Sequence, residues 1–107
     1  MGIPAQVAGD AAALLGAQIR ARRTAKGWTQ AELASRVGTQ QKTISAIEAG
    51  RMTVAIGTVF TAAATVGVEL FGQDSAALAR SRRQADEVIG LLPRRVVPGN
   101  QVADDDF

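Results

Sequence analysis

Residues 29–51 read TQAELASRVGTQQKTISAIEAGR, and this stretch predicts two short helices joined by a tight turn. Thr29 and Glu32 have the S/T-x-x-E spacing of a capping box, in which each side chain satisfies a free backbone N–H group at a helix start. Small and apolar residues then recur at helical spacing up to Gly38. We expect Gly38 to end the first helix, because glycine enters the left-handed backbone region without a steric cost.

The second helix of this stretch has two different faces. We expect Thr39 to cap its start and Gly50 to end it. At roughly 100° per residue, Ile44 and Ile47 point to one side. The opposite side is small, polar and nearly free of acid, and it carries Gln41, Lys42, Ser45 and Ala46. Glutamine can pair with adenine and lysine with guanine, so this face suits the reading of base edges, although an ordinary surface helix of a bundle is the alternative.

Residues 27–51 resemble the phage-repressor (Cro/C1, XRE) helix-turn-helix family. The pieces GxxIRxxR before the motif and TxGVEL after it extend the resemblance to about residues 14–70. More narrowly, GWTQ, the form of the motif and the region from Val68 onward resemble the HipB-type antitoxins, which pair with HipA-family kinases. The resemblance implies an all-α, five-helix DNA-binding domain. It also implies a homodimer that binds an inverted-repeat operator in double-stranded DNA and represses transcription.

The motif also implies which side chains would meet DNA. Base contacts are expected from the start and outer side of the second motif helix, at Gln40, Gln41, Lys42, Ser45 and Ala46. Phosphate contacts are expected from Arg22, Gln30, Thr43 and Arg51. In the resembling family an arginine and a glutamate at the places of Arg23 and Glu48 form a partly buried ion pair. We therefore expect these two residues to hold the first helix of the domain against the recognition helix.

The chain is expected to divide into four segments. They are a flexible arm (1–9), the helix-turn-helix DNA-binding domain (10–72), a C-terminal helix for dimerisation or partner binding (73–92) and a disordered acidic tail (93–107). Asp10 should cap the first helix, and Trp28 should pack in the angle between the first two helices. The fourth helix should bury Ile56, Val59, Phe60 and Ala63, which repeat at three and four. The segment Val68–Gly72 is either a short strand that pairs with its symmetry mate, as in HipB proteins, or a loop packed on the core.

Composition limits the kinds of function that this chain can have. The net charge of +2 includes three of the ten acids in Asp104–Asp106, so the rest of the chain is more basic and favours a polyanion partner. The chain has no histidine, cysteine or tyrosine, so we predict no metal site, no cofactor and no enzymatic activity. The apolar residues are mostly small, which predicts a thin core stabilised by dimerisation. No run of about 18 apolar residues is present, so we expect no membrane-spanning segment. No signal peptide is recognisable either, and a cytoplasmic location is expected.

Two functions therefore remain in competition. In the first, the protein is the antitoxin of an operon with a HipA-like serine/threonine kinase and binds both operator and toxin. In the second, it is a stand-alone phage or host regulator without a toxin partner. A third possibility, a protein-interaction module that has lost DNA binding, is disfavoured by the polar, acid-free face of the recognition helix.

Overall fold

The computed structural model describes residues 2–95, and these contain five α-helices. The helices are α1 (Ile3–Ala25), α2 (Gln30–Val37), α3 (Gln41–Glu48), α4 (Ile56–Val66) and α5 (Ser75–Gly90). The predicted all-α, five-helix architecture is thus confirmed. The described residues fall into two compact units that divide after Asp74, so that α1 to α4 form one unit and α5 belongs to the other. The predicted disordered tail lies, from residue 96 on, outside the described residues.

The core of the first unit is a small apolar cluster to which each of its four helices contributes. Ile19 of α1, Leu33 of α2, Ile44 of α3 and Val66 of α4 are fully buried. Burying side chains of this size contributes about 1.5–3 kcal/mol each relative to exposure. α3 packs against both α1 and α2, and α4 packs against the same two helices. α3, the second helix of the motif, is therefore fixed to two neighbours by its inner side.

The start of α1 differs from the prediction. We expected a flexible arm over residues 1–9 and a helix capped by Asp10, whereas α1 begins at Ile3 with Gly2 at the N-cap position. Pro4 lies in the first turn, where its fixed φ suits a helix and its missing N–H group is not needed. Glycine and proline were interpreted as signs of a loop, but proline in this position begins a helix. The flexible-arm prediction is wrong for residues 3–9.

The single tryptophan packs against the core from the connection between α1 and α2. Trp28 is half-buried, and the guanidinium carbon of Arg36 lies 4.0 Å from the centre of its ring. The ammonium group of Lys26 lies 5.3 Å from the same centre. Both distances fall within the range of cation–π attraction. Trp28 therefore joins the end of α1 to α2, as its predicted position between these helices requires.

α4 buries its second half rather than its first. It begins after Ala55 and ends at Gly67, whose φ is 85°. Ala63 is buried as predicted, and Val59 and Phe60 are half-buried. The expectation that Ile56 is buried is wrong, because its side chain is 69% exposed. Ile56 begins the helix, and the part of α4 that packs in the core lies further along, around Ala63.

The segment after α4 forms a turn instead of a strand, which was the second of the two alternatives. Val68 is buried, and a single bridge joins Leu70 to Gln73, with 3.1 Å between Gln73 N and Leu70 O. Inside this bridge, Phe71 has a φ of 56° and Gly72 has a φ of 67°. Asparagine and glycine adopt such a pair of left-handed conformations most readily. A phenylalanine held there costs about 1–3 kcal/mol.

Two further features of the described residues bear on function. No helix within residues 2–95 is long and apolar enough to cross a membrane. The same part of the chain holds no group of three or more acidic, histidine or cysteine side chains placed to bind a metal ion.

Candidate nucleic-acid interface

The capping box fixes the start of α2. Thr29 Oγ1 accepts a hydrogen bond from the Glu32 backbone N–H at 3.0 Å, and Glu32 Oε1 accepts one from the Thr29 N–H at 3.4 Å. At the other end of α2, Gly38 has a φ of 84°. Both predicted ends of the first motif helix are therefore confirmed. Ala34 is buried on its inner side, as a small residue at a close helix crossing must be.

The start of α3 has no such cap. Thr39 does not cap it, contrary to the prediction, because the backbone N–H groups of Gly38 and Thr39 both donate to the carbonyl oxygen of Ala34 at 2.9 Å. Thr39 thus belongs to the end of α2, and Gln40 takes the N-cap position of α3 without a capping hydrogen bond from its side chain. The first N–H groups of α3 have no side-chain partner of that kind and suit a phosphate group.

The two sides of α3 differ sharply in burial. Ile44 and Ile47 are buried, with at most 2% of either side chain exposed. Of the residues predicted to contact bases, four are exposed and one, Ala46, is half-buried. The exposed four are Gln40, Gln41, Lys42 and Ser45. The side of the helix that carries these groups is therefore open to a large partner.

A shallow cleft of about 460 Å³ runs beside this exposed side. On the α3 side its wall includes Lys42 and Thr43, and Thr43 is one of the predicted phosphate contacts. Across the cleft lie Thr53 and Thr58, from the lead-in and first turn of α4. Threonine hydroxyl groups commonly bind phosphate oxygens. Thr53 and Thr58 were not predicted to contact DNA, although they lie close in sequence to the motif, which is a signal for such a role.

Glu48, at the end of α3, holds three helices together. Arg23 Nε donates to Glu48 Oε2 at 2.6 Å and Arg23 Nη2 to Glu48 Oε1 at 2.9 Å, so the pair is bidentate. The third guanidinium nitrogen donates to the Trp28 carbonyl oxygen at 2.7 Å. Only 12% of the Arg23 side chain and 4% of the Glu48 side chain are exposed. The hydrogen bond to Glu48 raises the pKa of Arg23 above its ordinary value, although burial opposes this.

Gln30, a predicted phosphate contact, belongs to the same network. Its Nε2 donates to Glu48 Oε1 at 3.1 Å, and the side chain is half-buried. One amide N–H and the amide oxygen remain for other partners. Glu48, the last residue of α3, therefore orients the side-chain amide of Gln30, the first residue of α2. The phosphate contact of Gln30 stays a prediction.

Gly16 sets the distance between α1 and α3. It is buried, and a Cβ atom built on it would collide with the carbonyl oxygen of Ile47 and lie 3.2 Å from the Cα atom of Glu48. The two helix backbones therefore touch at this point, and only glycine permits that approach. No role was predicted for Gly16. The available signal was a lone glycine inside a helix, one turn before the buried Ile19.

The structure does not bring the two arginines predicted to contact phosphates together. Arg51 lies three residues beyond Glu48, where α3 ends, and is exposed. Arg22 is exposed as well, but a Cβ atom built on Gly67 would lie 3.6 Å from its Nη1 atom. Gly67 is at the C-terminal end of α4, whereas the cleft beside α3 meets the N-terminal end of that helix. Arg22 thus lies apart from the other candidate residues.

Comparison with known proteins identifies the same region. A family model described as helix-turn-helix matches residues 19–72, about half of the chain, from the middle of α1 to the turn after α4. A search of curated proteins found no match, and neither did a search of solved structures.

Proposed function

The chain belongs to the helix-turn-helix family of DNA-binding transcription regulators, and from this membership we propose that it binds a specific operator as a homodimer and represses transcription. Base contact is assigned to Gln40, Gln41, Lys42, Ser45 and Ala46, and phosphate contact to Gln30, Thr43 and Arg51. The protein acts in the cytoplasm, where this DNA is found, and needs no cofactor.

One observation carries this proposal. The outer side of α3 is exposed and free of acid, while its inner side is buried and bound to α1 and α2. A helix held in this way presents a fixed array of donors and acceptors of the size of a few base pairs. The absence of a side-chain cap on α3 also supports the proposed DNA binding, because free N–H groups at a helix start bind phosphate.

Selection of bound duplexes from a random library tests the proposal. The full chain should enrich one sequence, and that sequence should be an inverted repeat, because a two-fold protein binds two-fold DNA. Enrichment of an asymmetric single site would contradict the homodimer. Binding without any sequence preference would contradict operator recognition. The triple variant Gln41→Ala, Lys42→Ala, Ser45→Ala provides the matched control, because it keeps the buried side of α3 and should enrich nothing.

We also propose a narrower role, as the HipB-like antitoxin of a HipA-type kinase. The observation that favours it is the composition of α5 and the residues that follow. None of the α5 residues is buried, and its end is apolar: Val88, Ile89, Leu91 and Leu92 are all more than half exposed. Exposed apolar clusters of this kind commonly mark a protein interface. Without such a partner the chain would be a stand-alone phage or host regulator, which is the alternative.

Two experiments separate these roles. A kinase-like gene directly beside this one would identify the candidate toxin. The full chain and a chain ending at Pro93, which keeps all five described helices, should then both bind operator DNA. If the tail is required, the chain ending at Pro93 should not co-purify with the kinase, whereas the full chain should. A chain ending at Gly72 should lose kinase binding as well. Kinase binding by both shortened chains at full strength would place the contact on α1 to α4.

Substitution in the full chain gives a sharper version of this test. Ile89→Asn together with Leu92→Asn removes apolar surface from the end of α5 and should weaken kinase binding. Leu14→Asn is the matched control, because Leu14 is 60% exposed on α1 and its loss should leave kinase binding unchanged. Equal effects of the two changes would contradict a specific role for α5.

A further inference from the structure

An apolar groove of about 700 Å³ lies on the first unit. Its lining includes Leu15 of α1 and Phe60 of α4, which are half-buried. Leu15 also packs against the core. Three further lining residues are large, apolar and mostly exposed: Met52, Ile56 and Phe71, at 61%, 69% and 78%. A patch of this kind on so small a unit usually marks a binding surface.

Phe71 is the most unusual of these residues. Its left-handed backbone conformation is one that asparagine or glycine would adopt more easily. The strained backbone nevertheless carries a large apolar ring, most of which is in water. Within the chain the ring meets Phe60 edge to face, with 6.2 Å between the ring centres. Because both the conformation and the exposure are unfavourable, we infer that Phe71 gains its stabilising contacts from a partner.

A second copy of this chain is the occupant that the groove fits best. The same face carries a projecting ring and a cavity, which is the requirement for an interface in which two identical surfaces meet about a two-fold axis. Its lining also includes one positive and one negative side chain, Arg51 and Glu69. A two-fold axis can bring the arginine of each copy to the glutamate of the other. A face that binds an unrelated partner has no need to carry both the ring and the cavity, or both the arginine and the glutamate.

We propose that two copies associate through this groove, with Phe71 of each copy inserted into the groove of the other. This inference rests on the proposed homodimer and names its interface. It places dimerisation on α1, α4 and the turn after α4, instead of on a shared β-strand or on the apolar end of α5.

Replacement of Phe71 by asparagine tests the anchor. Phe71→Asn in the full chain introduces a residue that tolerates the left-handed conformation. The urea midpoint for unfolding of the monomer should therefore not fall. The dimer dissociation constant, measured by analytical ultracentrifugation without DNA, should rise by roughly 100-fold, because both copies lose an aromatic anchor. Ile3→Asn is the matched control: Ile3 is 74% exposed outside the groove, and its loss should leave the constant unchanged.

Reversal of the two charges tests the identity of the partner. Glu69→Arg alone should weaken the dimer, because it would place two arginines together across the interface. Addition of Arg51→Glu to the same chain should restore association to within a few-fold of the original, which only a second copy with the same two positions can explain. This association is measured without DNA, because Arg51 is also a proposed phosphate contact. Failure of the second change to restore a dimer weakened by the first would overturn the assignment of the pair.

The remaining outcomes also separate the two proposals. A chain that stays monomeric at all concentrations, or a Phe71→Asn variant that dimerises as tightly as the original, overturns this inference. Dissociation by Leu91→Asn but not by Phe71→Asn would place the interface on the second unit and overturn it as well. A monomeric Phe71→Asn variant that still selects a half-site leaves DNA recognition intact. A chain that dimerises through Phe71 and binds no duplex contradicts only the proposed DNA recognition.

Discussion

The two sides of α3 are made by the same eight residues and have opposite surroundings. The inner side consists of apolar side chains and of Glu48, whose two oxygens are engaged by Arg23 and Gln30. On the outer side, Gln41, Lys42 and Ser45 are exposed and Ala46 is half-buried. The inner side decides where the helix lies, whereas the outer side is available to decide what the helix binds. Stability and recognition should therefore respond to different substitutions and to different conditions.

Salt should separate the two sides most strongly. A dimer that contacts roughly six to ten phosphates should lose about three to five decades of operator affinity between 50 and 200 mM salt. The urea midpoint should change little over the same range, because the inner side is apolar except for a buried network that salt screens weakly. Fluorescence anisotropy and urea titration measure the two quantities. A flat salt response of DNA binding would contradict the proposed recognition.

Loss of the inner carboxylate should have the next largest effect. Glu48→Ala leaves a buried arginine without its partner, which should lower the free energy of unfolding by about 3–5 kcal/mol. Urea denaturation measures this. Glu48→Gln is the matched control, since it keeps hydrogen-bonding capacity and should lose less. An unchanged midpoint in Glu48→Ala would show that the ion pair does not stabilise the fold.

Substitutions on the outer side should show the reverse behaviour. Lys42→Ala or Gln41→Ala should cost about 1–3 kcal/mol of operator affinity and relax base preference at one position of each half-site. The free energy of unfolding should stay the same, because both side chains are exposed. Competition binding with duplexes that differ at single positions measures the preference. If Lys42→Ala kept the affinity and the ranking of sequences, the base-contact assignment would be wrong.

Arg22 should have the smallest effect on either property. The sequence predicted a phosphate contact for it, but its guanidinium lies near the C-terminal end of α4. The cleft beside α3 meets the opposite, N-terminal end of that helix. Arg22→Ala should therefore leave operator affinity and its salt dependence nearly unchanged. Removal of a true phosphate contact would weaken binding to all sequences alike and reduce the salt slope by about one. That second result would restore the original assignment.

Local sequence signals predicted the motif well. The capping box at Thr29 and Glu32 and the glycine at residue 38 act within one turn of chain, so their outcome depends little on the rest of the fold. The errors arose where two local signals compete. Pro4 can end an irregular segment or begin a helix, and Thr39 can cap α3 or complete the end of α2. Such choices depend on backbone hydrogen bonds that the residue types alone do not determine.

Tertiary packing explains what the sequence left unassigned at the candidate site. The Arg23–Glu48 pair was expected only because a resembling family has one, and its third member, Gln30, was assigned to phosphate contact instead. Ile56 has the spacing of a core residue, yet α4 packs with its other end. The role of Gly16 depends on a helix 30 residues away in sequence, and no local pattern encodes a contact between two backbones.

Gly16 also determines how this surface can diverge. On the proposed assignment of base contacts, substitutions at exposed positions such as Gln41, Lys42 and Ser45 would change the chemistry of the outer side without moving α3, so a lineage could acquire a new DNA preference in single steps. A side chain at Gly16 would instead displace α3 as a whole and misplace every outer residue together. Selection for any DNA target, whatever its sequence, should therefore retain this glycine, although it is buried between α1 and α3.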